Sequence, residues 1–291
     1  AILLGIAFSN NIGGMSTPIA SPQNVVAFQL VQEHGVNFGS WMGFSLPYCA
    51  AMLALVWIFL VWKYPSKLQS IDISTSTSRR KLVMSQYVVL SVVVTTILLC
   101  ACFPKMKHVV GNLGILGLFP VVTFFGTGLL DRADLHGMNW SVILLIGGGL
   151  SLGYAMERSL LLQIMAEALK KALGDAGMYA YTIIFAAFMG LIANFVSSTI
   201  SAIIILPVVN QVGVQIGHPA ALVMASVLLA SGAMMLPVSS FPNANSYAQT
   251  DDKGNAIVSV RDFLAAGVVA TAICLVGMAS IGVLLAMAFR W

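Results

Sequence analysis

The chain has 291 residues, of which 59% are hydrophobic and only 8% are charged, whereas soluble domains carry roughly 25% charged residues. Several apolar stretches reach the ~20 residues that cross a hydrocarbon core, so the composition excludes a soluble globule and predicts an all-α membrane protein with several spans. The net charge of +4 is small and diffuse, which excludes a nucleic-acid partner recognised through a basic, aromatic-lined face.

The first apolar block, residues 1–32, is interrupted in its middle. Residues 13–24 are rich in Gly, Ser, Pro and Asn, which ordinary spanning helices do not concentrate in one place. The block also starts at Ala1 without an initiator Met or a charged segment before it. We therefore expect a broken helix here, and we expect the chain to be a piece of a longer protein.

A second block, residues 39–62, leads into a basic segment. The segment carries five basic side chains against the single Asp72, and its centre is a run of Ser and Thr at residues 74–78. Such a run indicates a flexible linker, and the positive-inside rule places it in the cytoplasm. We predict residues 65–81 to be a cytoplasmic linker between two halves, 1–64 and 82–291.

The second half contains further apolar blocks at residues 82–103, 109–130 and from 140 towards 154. Residues 157–173 are amphipathic, with Glu157, Arg158, Glu167, Lys170 and Lys171 among apolar residues, which predicts a helix lying along the membrane interface. Residues 176–250 contain no Asp, Glu, Lys or Arg. The pattern predicts a re-entrant hairpin at 176–216, a broken helix at 219–247 and a last span at 262–290.

The two interruptions have the same residue pattern. Each opens with a proline, Pro18 or Pro237, is centred on a serine and closes on an asparagine six positions later, Asn24 or Asn243. Paired breaks in two halves of a membrane protein point to a transporter binding site near the bilayer midplane. Freed carbonyls and hydroxyls suit a cation, while the positive ends of half-helices suit an anion. The alternative interpretation is that Pro and Gly only kink spanning helices.

The breaks and the hairpin tip at residues 197–199 resemble those of the divalent anion:sodium symporter family, whose members carry dicarboxylates, citrate, sulfate or phosphate. The family has a Ser-Asn-Thr tip and a Pro-Pro-Asn break in each of two inverted repeats. Here Ser198 replaces the tip asparagine, and the triplets read Pro22-Gln23-Asn24 and Phe241-Pro242-Asn243. Loss of the tip amide counts against a carboxylate substrate and suits a smaller tetrahedral oxyanion. The variant is similar to the fungal low-affinity phosphate transporters, which carry an N-terminal SPX domain.

The resemblance implies the residues of the site. Substrate contacts would fall on Ser21, Pro22, Thr199, Ser240 and Phe241, with Thr17, Asn24 and Asn243 bracing the breaks. One sodium site would involve Ala20, with its other ligands on a first hairpin that precedes this chain. A second sodium site would use Ala193, Ser197, Ser198 and Ser239. Sodium would act as a coupling ion, and no other cofactor is implied.

The same resemblance implies an inverted-repeat, elevator-type transporter and a homodimer in a lipid bilayer. The function it favours is symport of inorganic phosphate with sodium or protons, in the plasma membrane rather than the vacuolar membrane. A sulfate or dicarboxylate carrier of the same fold and a passive anion channel remain as alternatives. An intramembrane hydrolase needs a His or Lys within reach of its serine nucleophile, and the motifs contain neither, so we do not expect an enzyme.

Overall fold

A computed structural model describes residues 1–65, 83–111, 113–137, 177–250, 256–289 and 291, and single positions at 155, 158–160, 164, 171 and 174. Nearly all of these residues belong to helices or to the turns that join them, and one isolated β-bridge pairs Thr250 with Ala256. The predicted linker beyond Pro65, the apolar block from residue 140 and most of the predicted interfacial helix at 157–173 lie outside the described residues.

The chain divides into two units, Ala1–Pro65 with Ser141–Trp291 and Ser66–Trp140. The described helices, numbered along the chain, are α1 (Ile2–Gly13), α2 (Pro22–Gln32), α3 (Phe38–Lys63), α4 (Met84–Val110), α5 (Leu113–Gly126), α6 (Arg132–Gly137), α7 (Met178–Phe195), α8 (Ser198–Ile216), α9 (Pro219–Ser231), α10 (Phe241–Tyr247), α11 (Val260–Gly277) and α12 (Val283–Ala288). A 3₁₀ turn, Pro237–Ser239, precedes α10, and a π-helical segment, Met278–Gly282, joins α11 to α12.

Helix α9 is the centre of the larger unit. Every residue from Ala220 to Ser231 is buried. The helix carries apolar side chains of its own on all faces, and a helix of that kind is stable only inside a core. It packs against α2, α7, α8 and α11. The two helices of the predicted hairpin, α7 and α8, therefore lie against the same buried helix that leads into the second break.

The helix boundaries follow from local sequence signals. Pro22 and Pro219 occupy the first positions of α2 and α9, where the missing N–H of proline costs nothing. Gly217 ends α8 with φ +83°, a left-handed conformation that glycine adopts without a steric penalty. A reciprocal capping box between Asn37 and Ser40 begins α3.

In the smaller unit, α4 and α5 pack against each other. Gly111, with φ +73°, lies in the connection between them, and Cys100 and Leu116 are buried. The α4 helix continues to Val110, past the sequence-predicted end at residue 103.

Five described segments are long and apolar enough to cross a membrane: Phe38–Lys63, Met84–Phe103, Met178–Phe195, Ser198–Ile216 and Val260–Ala288. Large apolar side chains are exposed along several of them, and Trp57 and Trp62 on α3 are 65% and 80% exposed. Lipid is the solvent that favours such surfaces. The prediction of an all-helical, multi-pass membrane protein is confirmed for the described residues.

Candidate transport site

The first break is a loop of residues 14–21 closed by a buried asparagine. Ser21 is the N-cap of α2 with φ −150° and ψ 152°. Asn24, in the first turn of α2, is fully buried and donates from Nδ2 to the carbonyls of Gly14 and Thr17, both at 2.8 Å. The Ser21 hydroxyl also donates to Gly14 O, at 3.1 Å. These three hydrogen bonds hold the loop in a defined conformation.

The second break has the same construction. Ser240 is the N-cap of α10 with φ −154° and ψ 158°, and Asn243 is fully buried in the first turn of that helix. Asn243 Nδ2 donates to Leu236 O at 3.1 Å and to Ser239 Oγ at 2.9 Å. In both breaks the asparagine reaches a carbonyl seven residues earlier, Thr17 or Leu236.

Helix α3 donates hydrogen bonds to three carbonyls at the first break. Trp41 Nε1 donates to Met15 O at 3.2 Å, Ser45 Oγ to Ser16 O at 2.7 Å and Cys49 Sγ to Ile12 O at 3.2 Å. The three donors are four residues apart and so lie on one face of α3. Unpaired backbone groups are costly where water is excluded, and this row of donors removes that cost.

In the second break, backbone amides are held by acceptors on neighbouring helices. Met235 N donates to Asn194 Oδ1 of α7 at 2.7 Å, and Met234 N donates to Thr271 Oγ1 of α11 at 3.0 Å. Gly267 of α11 lies directly beneath the Met234 carbonyl, where any Cβ would collide with the backbone. The close approach of α11 to this break therefore requires glycine at position 267.

The hairpin tip between α7 and α8 is the third component. Ser197 has φ +136°, a backbone conformation that costs on the order of 1–3 kcal/mol for a residue other than glycine and that concentrates at functional sites. Ser198 Oγ lies 2.6 Å from Ala230 O and 3.0 Å from Ser239 O. The tip is thus attached to α9 and to the second break.

Three side-chain bonds connect the two breaks and the tip. Thr199 Oγ1 donates to Gln23 Oε1 at 3.3 Å, and Gln23 Nε2 donates to Ser231 Oγ at 2.9 Å. Asn11 Nδ2, at the end of α1, donates to Asn243 Oδ1 at 2.8 Å. These bonds bring residues from distant parts of the chain together in one candidate site, and most of the polar side chains in it are buried.

The electrostatic field of the candidate site comes from helix dipoles and not from charged side chains. Residues 1–32 and 176–250 contain no Asp, Glu, Lys or Arg, yet α2, α8 and α10 all begin here. The N-terminus of a helix carries a partial positive charge and unpaired N–H groups, which favour an anion. Within the part of the chain that the structure describes, no cluster of three His, Cys, Asp or Glu side chains could hold a metal ion.

The CitMHS family model, described as a citrate transporter, matches residues 1–230. The chain belongs to this transporter family. The match includes the first break, the hairpin and most of α9, and the membership agrees with the divalent anion:sodium symporter type of transporter that the sequence motifs predicted. Because the family consists of transporters, the expectation that this CitMHS chain is not an enzyme is confirmed.

Relatives of this CitMHS chain include two proteins of Saccharomyces cerevisiae. The chain is 37% identical to the low-affinity phosphate transporter PHO90 over 285 residues, which are 97% of this chain and 32% of PHO90. It is 35% identical to the inorganic phosphate transporter PHO87 over 97% of this chain and 31% of PHO87. The chain thus spans about a third of the length of these relatives. A sodium-dependent dicarboxylate transporter of Staphylococcus saprophyticus, SdcS, is 26% identical over 84% of this chain and 52% of SdcS.

The predicted substrate residues occupy two different kinds of position. Ser21, Pro22, Thr17, Thr199 and Ser240 are half-buried at the starts of helices or in the breaks, and Phe241 is 79% exposed. Asn24 and Asn243 are fully buried. Thr199 is brought to the first break by its bond to Gln23.

The predicted sodium ligands are also distributed between buried and exposed positions. Ser198 and Ser239 are brought into contact, because the Ser198 hydroxyl lies against the Ser239 carbonyl. Ser197 is half-buried at the tip, Ala193 is fully buried one turn earlier in α7, and Ala20 is exposed in the first break. Both ligand sets remain predictions.

Some residues of this place were not singled out from the sequence. Asn11, Ser231 and Thr271 each make a side-chain bond that holds a break or connects two elements. The available signal was a neutral polar side chain inside an otherwise apolar helix, such as Asn11 in α1. The same signal is given by serines and threonines that only bond to their own helix, so the sequence does not distinguish the two cases.

Proposed function

We propose that this chain is the membrane part of a secondary active transporter for inorganic phosphate. The observation that carries the proposal is the 35–37% identity to two yeast phosphate transporters over 97% of the chain. The identity extends across both breaks and the hairpin tip, so the elements that would form the substrate site are included in it.

The geometry supports an anion that is held without cationic side chains. The N-termini of α2 and α8 and the half-buried hydroxyls of Ser21, Thr199 and Ser240 belong to the two breaks and the tip, which side-chain bonds hold together. Phosphate oxygens accept hydrogen bonds from the backbone N–H groups at helix N-termini. The P–OH group of phosphate can donate to hydroxyl oxygens whose own proton is already used, as in Ser21 and Thr199. In this proposal Ser21, Thr199 and Ser240 bind phosphate, Pro22 and Phe241 line the site, and Thr17 belongs to the brace of the first break.

Transport is coupled to a cation, sodium or a proton. No Lys or Arg lies in the break-bearing segments to balance a bound anion, and a cation carried with it would lower the cost of moving charge through the membrane. Ser197, Ser198 and Ser239 with Ala193, and Ala20 with ligands from a further hairpin, are the proposed sodium positions. The name of the SdcS relative, a sodium-dependent transporter, supports sodium.

The transporter works as a homodimer in which one part slides through the membrane by an elevator movement. The two breaks belong to two inverted repeats, with residues 1–64 ending the first, 65–81 linking them and 82–291 forming the second. The matching asparagine braces support this division. The whole protein carries an SPX domain and a first hairpin and resides in the plasma membrane.

Uptake of labelled phosphate into proteoliposomes that contain the full-length protein tests the function. We expect saturable accumulation when a sodium or proton gradient is imposed, and no accumulation in its absence. Uptake that ignores both gradients would remove the coupling, and uptake that never exceeds equilibrium would indicate a passive anion channel.

The substrate site is tested by Ser240→Ala and Thr199→Ala, each of which removes one hydroxyl. We expect the KM for phosphate to rise about tenfold in each variant, since a hydrogen bond to a charged group contributes roughly 1.5–3 kcal/mol. Ser280→Ala is the control, because Ser280 bonds to its own helix. Unchanged KM in both site variants would place the substrate elsewhere.

A dicarboxylate or sulfate is the second candidate substrate. The description of the family model as a citrate transporter and the name of SdcS favour a carboxylate. Competition separates the candidates: phosphate uptake that is inhibited by citrate or succinate at concentrations near the phosphate KM would favour the carboxylate.

A further inference from the structure

We propose that Gln23 sets the substrate selectivity of this site by accepting the proton of Thr199, so that the site prefers oxyanions that carry a proton of their own. The proposal rests on the proposed function, because it takes Thr199 to contact the transported anion. It concerns a buried residue in the first turn of α2 to which the proposed function gives no role.

Gln23 is positioned by the elements that form the site. It lies in the first turn of α2, directly after the first break, and is 8% exposed. Its Nε2 donates to Ser231 Oγ on α9 at 2.9 Å. With that bond made, Oε1 of the same amide faces the hairpin tip, where the Thr199 hydroxyl lies 3.3 Å away.

The direction of the second bond has a chemical consequence. An amide Oε1 has no proton and can only accept, so the bond uses the single proton of the Thr199 hydroxyl. The oxygen of Thr199 then offers only lone pairs to a bound anion. Phosphate at neutral pH carries at least one P–OH group, which can donate to this oxygen.

Sulfate carries no proton at neutral pH, so its oxygens would meet the lone pairs of Thr199 without a hydrogen between them. A site that is arranged to hydrogen-bond a substrate hydroxyl rejects analogues that lack it, because a polar group of the site is left unpaired. Gln23 would therefore act as a positioning residue through Thr199, and it would separate phosphate and arsenate from sulfate.

Competition in the wild-type protein gives the first test and requires no variant. Arsenate should inhibit phosphate uptake with a potency similar to unlabelled phosphate, while sulfate and monofluorophosphate, neither of which carries a proton at pH 7.5, should be at least about tenfold weaker. Equal inhibition by sulfate or monofluorophosphate would overturn the proposal. It is the result expected if the amide were reversed, since Nε2 would then donate to Thr199 and leave its proton free.

Gln23→Met gives the second test, because methionine keeps the side-chain length and removes both polar atoms. The freed Thr199 proton could then point to any oxyanion, so we expect the phosphate-over-sulfate preference to fall about tenfold with phosphate uptake retained. The matched control is Gln29→Met, at an exposed position of the same helix, which should leave the preference unchanged. A merely structural role of Gln23 would lower uptake of both anions without changing their ratio.

The double variant Gln23→Met with Thr199→Val tests whether Gln23 acts through Thr199. In the Thr199→Val background, Gln23→Met should no longer change the ratio. The inference alone would be overturned if Gln23→Met transported phosphate with an unchanged phosphate-over-sulfate preference. It would also be overturned if Gln23→Met changed that preference equally in the presence and absence of the Thr199 hydroxyl. Absence of phosphate transport by the wild-type protein would instead overturn the proposed function, and this inference with it.

Discussion

Asn24 and Asn243 perform the same structural task at two distant positions. Each donates from its amide to the loop that precedes it, Asn24 to two carbonyls and Asn243 to one carbonyl and the Ser239 hydroxyl. Each lies fully buried three residues after the serine that caps the next helix. The two differ in their oxygens. Asn243 Oδ1 accepts a bond from Asn11, whereas Asn24 Oδ1 is buried without a hydrogen-bond partner among the described residues.

Removal of the second brace should destabilise the protein. Asn243→Ala leaves the Asn11 amide and the Leu236 carbonyl with fewer partners in a buried place, and buried unsatisfied groups cost about 1–3 kcal/mol each. We expect a lower midpoint of thermal unfolding in detergent and loss of transport.

The matched control is Asn245→Ala on the same short helix, where the side chain is exposed. This variant should unfold within the error of the wild type. Equal stability of Asn243→Ala and the wild type would mean that the brace contributes nothing.

At the scale of elements, the row of donors on α3 explains how a broken helix survives in a medium without water. Trp41, Ser45 and Cys49 donate to carbonyls of residues 12–16, and Asn24 and Ser21 donate to the carbonyls of Gly14 and Thr17. Carbonyls that the sequence suggests as cation ligands are thus engaged by protein donors.

Trp41→Phe tests this donor row. The substitution keeps an aromatic ring against Phe28 and removes the N–H that reaches Met15 O. We expect a loss of about 1–3 kcal/mol of stability from the unpaired carbonyl and the smaller ring, measured as urea or thermal unfolding in detergent.

Trp57→Phe on the same helix is the control, since Trp57 is 65% exposed and should tolerate the change. If both variants lost the same stability, the effect would come from the loss of tryptophan volume and not from the bond to Met15.

At the scale of the whole molecule, we predict that the basic residues of the expected linker fix the orientation in the membrane. Arg79, Arg80, Lys81 and Lys67 lie within residues 65–81, and short basic loops remain in the cytoplasm. We expect Ser76→Cys, introduced together with Cys102→Ser because Cys102 is exposed, to react with a membrane-impermeant maleimide only after the cells are permeabilised. Reaction in intact cells would reverse the orientation.

Membership in a family of transporters and the positions of the two breaks could be read from the sequence. Composition alone required lipid as the solvent, and a concentration of Gly, Ser, Pro and Asn inside an apolar block favours a break, whereas single prolines such as Pro47 and Pro207 lie inside the continuous helices α3 and α8. The helix ends at Gly13 and Ser231 and the new starts at Pro22 and Phe241 follow from these local steric and hydrogen-bonding preferences. Local preferences are contained in a few neighbouring residues, which is why the sequence determined them.

The partners of each break were decided only by the tertiary structure. Asn11 with Asn243, Gln23 with Thr199 and Ser198 with Ser239 join residues that are 41 to 232 positions apart. The sequence by itself contains no pattern that predicts such pairs, because any neutral polar side chain in an apolar helix could equally bond to its own backbone. The packing of α2, α8 and α10 around α9 and α1 selects the partners, since burial leaves each polar group only those donors and acceptors that the neighbouring helices present.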